Sequence, residues 1–208
     1  MTNLDTIWSA RDPLILASQS TIRAELLNKV GFIFDVQTAK IDERQIEAHL
    51  SPADKTPKRI GLALAEAKAR AVSKTNSEAW VIGADQILEF EDQILHKVKS
   101  SIDAQQQLFS MAGKQHQLHS AAAIVRGGET QCLMIETATL TMRTLSSDNI
   151  RDYCQLAGDH IFQCVGSYQY EGLGRHLFER VDGRDDVILG LPLDQIIKFF
   201  RSAGCLTF

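Results

Sequence analysis

The sequence predicts an α/β fold in which helices flank a mixed β-sheet. Short apolar runs that are typical of buried strands alternate along the chain with segments of helical periodicity. Two longer β-rich runs, joined by Gly127-Gly128, predict an antiparallel pair within the same sheet. With 208 residues and 44% hydrophobic content, the chain is long enough to bury one sizeable core in one or two lobes.

The first predicted strand and helix meet at a short polar junction. Leu14 to Ala17 is an apolar run, and Ser20 is a good N-cap for the helix that follows. The free N–H groups of a first helical turn favour anions, so Ser18 and Ser20 are predicted to bind one. Arg23, one turn into the helix, can add a forked guanidinium for phosphate oxygens. The alternative is an ordinary capped helix with a surface arginine.

Each of the remaining predicted strands is an apolar or β-branched run bounded by turn residues. In chain order they are Phe32 to Val36, Trp80 to Ile82, Gln86 to Phe90, Gln93 to His96, Leu118 to Val125, Cys132 to Met142 and Leu177 to Val181. Gly83-Ala84-Asp85 is predicted to end the strand that begins at Trp80, and Glu91-Asp92 is predicted to form the turn of a hairpin. Asp182-Gly183 turns the last strand.

Each predicted helix has a capping residue or an apolar stripe. Ile60, Leu64, Ala67 and Ala71 form such a stripe on a helix from Lys58 to Ser73. Ser101 is predicted to cap a helix ending near Gly113, Ser146 or Ser147 one ending near Leu156, and Pro192 starts one that ends near Ala203. Gln37 to Pro57 is polar and predicts a loop with at most a short helix.

Several polar residues lie where a purely structural interpretation would not place them. Asp85 follows a buried apolar run, a usual place for chemistry in α/β folds, although a turn aspartate is the alternative. Lys68 lies at the edge of the helix stripe and either points into a cleft or extends along the surface to solvent. Lys97 has a similar status. Asp42-Glu43 follows the second strand, where acids are usually solvated.

Two other patterns carry weaker signals. His116 and His119 have H-x-x-H spacing, but in a strand they lie on opposite faces, so no metal pair is predicted. Gly166 to Gly174 is glycine-rich and includes Glu171. Its glycines would let the backbone approach a ligand closely, and a structural turn is the alternative. The segment matches neither a P-loop nor a dinucleotide-binding fingerprint.

Charge and composition exclude several classes. The net charge of −4 gives no basic signature for nucleic acid, and no run approaches the length of a membrane span. Met1 to Pro13 is polar and lacks the apolar core of a signal peptide, so we expect a cytoplasmic protein that binds neither nucleic acid nor membrane. The four cysteines have no zinc or disulfide spacing.

Eight segments, in order along the chain, resemble the Maf (Maf/Ham1-like) nucleoside triphosphate pyrophosphatases, the family of the septum formation protein. They are Leu14 to Leu27 for L-I-L-A-S-x-S-P-R-R-x-E-L-L, Asp42-Glu43, Leu64 to Val72, Ile82 to Gln86 for I-G-A-D-T, Lys97 for the G-K-P lysine, Met111 to His116, Gly166 to Gly172 and Gly190 to Leu193. No single motif is decisive, but eight in this order are very specific.

The resemblance implies a fold and an activity. The fold would be similar to that of inosine triphosphate pyrophosphatase, with an elongated mixed sheet and a cleft between two lobes. Residues 14–208 would form a single domain behind an N-terminal extension, residues 1–13. The activity would be hydrolysis of a nucleoside triphosphate, including modified or non-standard ones, to a nucleoside monophosphate and pyrophosphate, a house-cleaning reaction of nucleotide metabolism.

The resemblance also implies roles for individual residues. Asp85 would be the general base that activates water, with Lys68 and Lys97 as the other catalytic residues. The residues implied in substrate binding are Ser18, Ser20, Arg23, Gln86 and Glu171. Mg²⁺ or Mn²⁺ would be held by Glu43 and Asp85 together with phosphate oxygens.

The chain departs from the family pattern mainly at positions that select the base. The departures are Thr21-Ile22 for Pro-Arg, Gln86 for Thr, Val98 for Pro, Gln163-Cys164 for Asp-Lys and Glu171 for Gln. An ionised carboxylate only accepts hydrogen bonds. If Glu171 faces the base, we therefore expect GTP, CTP or a modified relative to be hydrolysed faster than UTP or dTTP.

Two alternatives remain open from the sequence. The first is a weakly active or non-catalytic nucleotide-binding regulator of cell division. It is supported by the replacement of the family's Arg by Ile22 and of its Lys by Cys164. The second is a phosphatase or kinase-like enzyme, which the absence of a P-loop and of a Cys-x₅-Arg loop disfavours. Exposed edges of an antiparallel pair favour a homodimer.

Overall fold

The computed structural model describes residues 7–208 and forms strands and helices in alternation. The strands are β1 (Leu14–Ala17), β2 (Asp35–Val36), β3 (Trp80–Phe90), β4 (Gln93–Leu95), β5 (Gln115–Arg126), β6 (Glu129–Met142) and β7 (Phe178–Asp182). The helices are α1 (Thr21–Lys29), α2 (Glu43–His49), α3 (Pro57–Ser73), α4 (Ser101–Met111), α5 (Ser147–Ala157), α6 (Asp185–Ile188) and α7 (Leu193–Ser202). Short 3₁₀ turns cover Pro52–Asp54, Gly158–Phe162, Val165–Ser167 and Leu173–Leu177.

The seven strands form one mixed sheet, which confirms the predicted α/β class. Its order is β2-β1-β3-β5-β6-β7, and β4 pairs with β3. β1 runs parallel to both β2 and β3, whereas the β3–β4 and β6–β7 pairs are antiparallel. The predicted homodimer through an exposed edge stays a prediction. Within residues 7–208, no helix is both long and apolar enough to cross a membrane.

The chain divides into two compact units. The first unit comprises the residues up to Gln86, Ser120–Glu136 and Gly190–Phe208, and the second comprises Ile87–His119 and Thr137–Leu189. The predicted single domain, its cleft and its likeness to inosine triphosphate pyrophosphatase stay predictions. Residues 1–6 of the predicted N-terminal extension lie outside the described residues.

The first unit is built around β1, β3 and α3. Small and branched side chains fill the layer between the helix and the sheet, among them Ile15, Ala17, Ala65, Ala69 and Val81. A second layer is aromatic: the rings of Trp8, Phe32 and Trp80 all pack against that of Phe200. Residues 7–9 also pair with residues 205–207 near the end of the chain.

The second unit has its own core, in which a histidine is buried among aromatic rings. His116 is 2% exposed, and its Nε2 atom lies 2.7 Å from the hydroxyl oxygen of Tyr168. The ring of Phe178 contacts both side chains, at centroid distances of 5.8 Å and 4.9 Å. The Nδ1 atom of His116 has no hydrogen-bond partner among the described residues.

The prediction that a strand ends at Gly83-Ala84-Asp85 is wrong, because β3 continues to Phe90. Gly83 is there for packing and not for a turn. A Cβ atom on Gly83 would lie 2.1 Å from the carbonyl oxygen of Ala65, so only glycine lets α3 pass this close to the strand. The parallel pairing with β1 stops at Gly83, and Asp85 lies just beyond it on the continuing strand.

Several other boundaries and one buried face also differ from the prediction. β2 is only Asp35–Val36, because the N–H of Phe32 bonds the carbonyl of Leu27 at the helix end. The N-cap of α4 is Ser100, one residue before the predicted Ser101. The predicted stripe of α3 is partly wrong. Ile60 and Leu64 are buried, but Ala67 and Ala71 are only half-buried; the buried face continues instead through Ala65, Ala69 and Val72.

Candidate active site

The junction between β1 and α1 has the predicted order of strand, N-cap and helix. The Ser20 side chain caps α1 by accepting a hydrogen bond from the backbone N–H of Arg23. The N–H groups that precede Arg23 in the first turn have no acceptor within the helix and remain available to a ligand. Ser18 is buried, and its hydroxyl oxygen accepts from the N–H of Ser20. Its own hydroxyl hydrogen can therefore be donated to a phosphate.

Arg23 is fixed by the protein more firmly than the sequence suggested. Its Nε donates to the carbonyl of Gly190 at 2.8 Å, and its Nη1 donates to the carbonyl of Ala84 at 2.9 Å and to the hydroxyl of Ser18 at 3.2 Å. No hydrogen bond links Nη2 to a described residue, so this nitrogen is the part of the guanidinium that a phosphate can use. Arg23 thus ties the β1–α1 junction to β3.

Two nearby carboxylates act on Arg23 through their charge. Burial lowers the pKa of the Arg23 guanidinium, whereas the negative charges of Asp85 and Glu43 raise it. An arginine stays protonated despite such a shift, so the site keeps a fixed positive charge. Arg23 therefore compensates part of the negative charge of these carboxylates.

Lys68 bridges the same two carboxylates. Its Nζ atom lies 2.5 Å from Oδ1 of Asp85 and 2.7 Å from Oε1 of Glu43. The side chains of Lys68 and Asp85 are only 15% and 11% exposed, so the charge-assisted contact between them is poorly screened by water, whereas the Glu43 side chain is 50% exposed. The ammonium of Lys68 therefore points toward two acidic groups and does not extend along the surface to solvent, while its predicted place in a cleft stays a prediction.

Three elements of the first unit bring Lys68, Asp85 and Glu43 together. α3 crosses close to β3 at Gly83, which places Lys68 beside Asp85. Asp42 caps α2 by accepting from the N–H of Gln45, and Glu43 is the first residue of that helix. The predicted short helix in this segment is therefore confirmed, and its N-terminus directs an acid toward Lys68.

Glu43 and Asp85 have the chemistry to hold a hard divalent cation. Carboxylate oxygens suit Mg²⁺ and Mn²⁺, and Mg²⁺ commonly binds through one or two carboxylates plus substrate phosphates and water. Among residues 7–208, no group of three or more His, Cys, Asp or Glu side chains is placed to hold a metal ion. The two carboxylates fit an ion that takes its remaining ligands from phosphate oxygens and water.

Gln86 is not brought to this group. It follows Asp85 in β3 and so points to the other face of the sheet, where its Nε2 donates to the hydroxyl of Ser120 at 3.1 Å. Its predicted contact with substrate stays a prediction.

Lys97 and Glu171 belong to the second unit and are both exposed. Each of them acts through its charge on Cys164. Burial raises the pKa of the Cys164 thiol, the charge of Glu171 raises it further, and the charge of Lys97 lowers it. Both predicted site residues therefore affect the same thiol electrostatically, while their contact with a nucleotide stays a prediction.

The sequence analysis missed two polar arrangements. Gly190 holds Arg23 through its carbonyl, and its φ of +98° favours glycine; its place before Leu-Pro was the available signal. In the second unit, His119 is fully buried between the carboxylate of Glu89, at 2.6 Å, and the hydroxyl of Thr137, at 2.9 Å. Its partners are distant in sequence, so no local pattern indicates them.

A family match and similar sequences extend along nearly the whole chain. A family described as Maf-like protein matches residues 13–203. A "Nucleoside triphosphate pyrophosphatase" of Nitrobacter winogradskyi is 42% identical over 201 residues, which cover 97% of this chain and 98% of that protein. A "7-methyl-GTP pyrophosphatase" of Bartonella quintana is 44% identical over 195 residues, covering 94% and 98%. A solved HAM1 protein from Coxiella burnetii has a TM-score of 0.40 and 13% identity, over 63% of this chain and 73% of that one.

Proposed function

The chain belongs to the Maf family, and we propose that it hydrolyses nucleoside triphosphates to a nucleoside monophosphate and pyrophosphate. The observation that carries this proposal is the contact of Lys68 with both Asp85 and Glu43, close to the anion-binding groups of the β1–α1 junction. Such a set of groups supplies a base, metal ligands and phosphate-binding cations in one place. Relatives named as pyrophosphatases support the same activity.

In the proposed reaction, Asp85 accepts a proton from water. The water oxygen then attacks the α-phosphorus and forms a new P–O bond. The bond from the α-phosphorus to the oxygen that bridges the α- and β-phosphates breaks, and its electron pair leaves with pyrophosphate. The ammonium of Lys68 and the guanidinium of Arg23 stabilise the negative charge that develops on the phosphate oxygens.

We propose that Mg²⁺ or Mn²⁺ takes part, held by Glu43 and Asp85. When bound, such an ion would neutralise phosphate charge and polarise the reacting phosphoryl group. The ion-pair geometry supports this role, because both carboxylates contact the same ammonium nitrogen and so lie close to one another. Lys97 is proposed as a further cation for the triphosphate, on the strength of its motif match alone.

The test is product analysis with purified protein and a panel of nucleoside triphosphates, including 7-methyl-GTP. We expect a nucleoside monophosphate and pyrophosphate on chromatography, with Mg²⁺ or Mn²⁺ required and activity lost on adding a chelator. A diphosphate and orthophosphate as products would contradict attack at the α-phosphorus. Binding without turnover across the whole panel would instead favour the non-catalytic regulator.

The finer substrate proposal is a guanine base, with 7-methylguanine included. Guanine presents N1–H and N2–H₂ side by side, which suits a carboxylate that only accepts, whereas uracil and thymine present one N–H between two carbonyl oxygens. Methylation at N7 adds a positive charge to the purine, and that charge favours a nearby carboxylate. Glu171 in the second unit is the carboxylate proposed for this contact. The Bartonella relative named as a 7-methyl-GTP pyrophosphatase supports it.

The expected effect of Glu171→Gln is a narrower base preference. Wild-type protein should hydrolyse GTP or 7-methyl-GTP faster than UTP or dTTP, and the variant should bring the ratios of kcat/KM closer together because an amide both donates and accepts. Glu179→Gln, which changes an exposed glutamate of β7, is the matched control and should leave the ratios unchanged. Wild-type preference for dTTP and UTP, unaltered by Glu171→Gln, would show that Glu171 does not contact the base.

A further inference from the structure

The ammonium of Lys68 and a divalent metal ion would compete for the same two carboxylates. It contacts Oδ1 of Asp85 and Oε1 of Glu43, the two carboxylates proposed above as metal ligands. A divalent ion drawn to these carboxylates would bring like charges close together in a site that water screens poorly. In the absence of nucleotide, Lys68 therefore opposes metal binding.

Lys68 is the cation of this site that can move. Arg23 is held by the carbonyls of Ala84 and Gly190 and by the hydroxyl of Ser18. The ammonium of Lys68, by contrast, has hydrogen bonds or ion pairs with only the two carboxylates among the described residues. Its ammonium is a compact charge on a flexible four-carbon chain. A phosphate oxygen is an acceptor of the same kind as a carboxylate, so Lys68 can exchange one partner for the other.

The charges of the site make metal and triphosphate depend on each other. Two carboxylates and two cations, Lys68 and Arg23, leave it close to neutral without ligands. A metal ion alone would make it strongly positive, and a triphosphate alone would add several negative charges beside Asp85 and Glu43. When both bind, the triphosphate attracts the ammonium and the ion binds the carboxylates, so each ligand offsets part of the charge that the other adds.

We propose that Lys68 gates the metal ion: its ammonium holds Glu43 and Asp85 until a nucleotide phosphate accepts it, so that the ion binds together with the nucleotide and only weakly alone. This inference rests on the proposed metal-dependent function of the same site. It assigns Lys68 a part in the order of binding, in addition to stabilising charge during the reaction.

The gate is tested by measuring Mn²⁺ binding without nucleotide. Electron paramagnetic resonance of free Mn²⁺ gives the dissociation constant for wild-type protein, Lys68→Met and Lys68→Gln. We expect both variants to bind Mn²⁺ at least about 10-fold more tightly than wild type, because the competing positive charge is gone. Lys74→Met removes an exposed lysine at the end of the same helix and should leave the affinity within about 2-fold of wild type.

A second substitution assigns the gained affinity to this site. Adding Glu43→Gln to Lys68→Met should abolish the gain, because it removes one of the two carboxylates. Mn²⁺ affinity that is unchanged or weaker in both Lys68 variants would overturn the gate. The proposed function is judged separately, by the products of wild-type turnover. Tighter Mn²⁺ binding in the Lys68 variants without wild-type turnover would contradict the proposed function alone. Wild-type turnover without tighter Mn²⁺ binding in the variants would contradict the inference alone.

Discussion

Asp85→Asn is expected to lower kcat by at least about 10²-fold, the usual scale for the loss of a general base. An amide cannot take the proton of the attacking water at neutral pH, and it cannot balance the charge of Lys68 as a carboxylate does. The side chain of Asp85 is only 11% exposed and contacts Lys68 directly, whereas Glu43, the other carboxylate on this ammonium, is 50% exposed. Steady-state pyrophosphate release at saturating nucleotide gives the comparison with wild type.

Two controls separate chemistry from folding in this experiment. Asp152→Asn, which changes an exposed aspartate of α5, should leave kcat within about 2-fold of wild type. The thermal unfolding midpoint of Asp85→Asn should stay close to that of wild type, because Lys68 keeps Glu43 as a partner. Turnover by a folded Asp85→Asn variant at a near-normal rate would remove Asp85 from the mechanism.

Local chemistry explains the parts of the fold that the sequence predicted well. The strand from Leu14 to Ala17 and the cap at Ser20 depend on neighbouring residues only, and the structure confirms both. The hairpin turn at Glu91-Asp92 is confirmed as well, with positive φ angles at both residues. In each case the physical cause of the element lies within a few residues of it.

Predictions failed where the cause lies far away in the chain. Gly83 looked like part of a turn, but its lack of a Cβ atom serves the close passage of α3. The periodicity of α3 could not decide whether Lys68 points inward, because its partners Glu43 and Asp85 come from α2 and β3. Helical spacing alone also misplaced part of the buried face, at Ala67 and Ala71.

In the candidate site, too, local patterns were predicted and contacts between distant residues were not. Motif matches selected Ser18, Arg23, Lys68 and Asp85, and the structure gathers all four in the first unit. The carbonyl contacts of Arg23 were not predictable, because backbone acceptors carry no signature in sequence. The buried partner of His116 was hidden for a related reason: Tyr168 is adjacent only after folding.

His116 is expected to make stability depend on pH. Burial lowers its pKa from the ordinary 6.5 to about 4. A protonated ring would carry an N–H at Nδ1, for which no described residue provides an acceptor. The folded protein therefore favours the neutral ring, and its full stability is present above about pH 6.5, where the unfolded chain is also neutral at this position.

As the pH falls below about 6.5, His116 becomes protonated in the unfolded chain, whereas in the folded protein it stays neutral until about pH 4. The free energy of unfolding should decrease across this window by about 3 kcal/mol at this one group, at about 1.4 kcal/mol per pH unit. Urea unfolding of wild type at about pH 7 and about pH 4.5 measures most of the loss. The double variant His116→Phe with Tyr168→Phe removes both members of the hydrogen bond and keeps the aromatic packing. It should lose correspondingly less stability than wild type between these two values, whereas equal losses would show that His116 is not the group responsible.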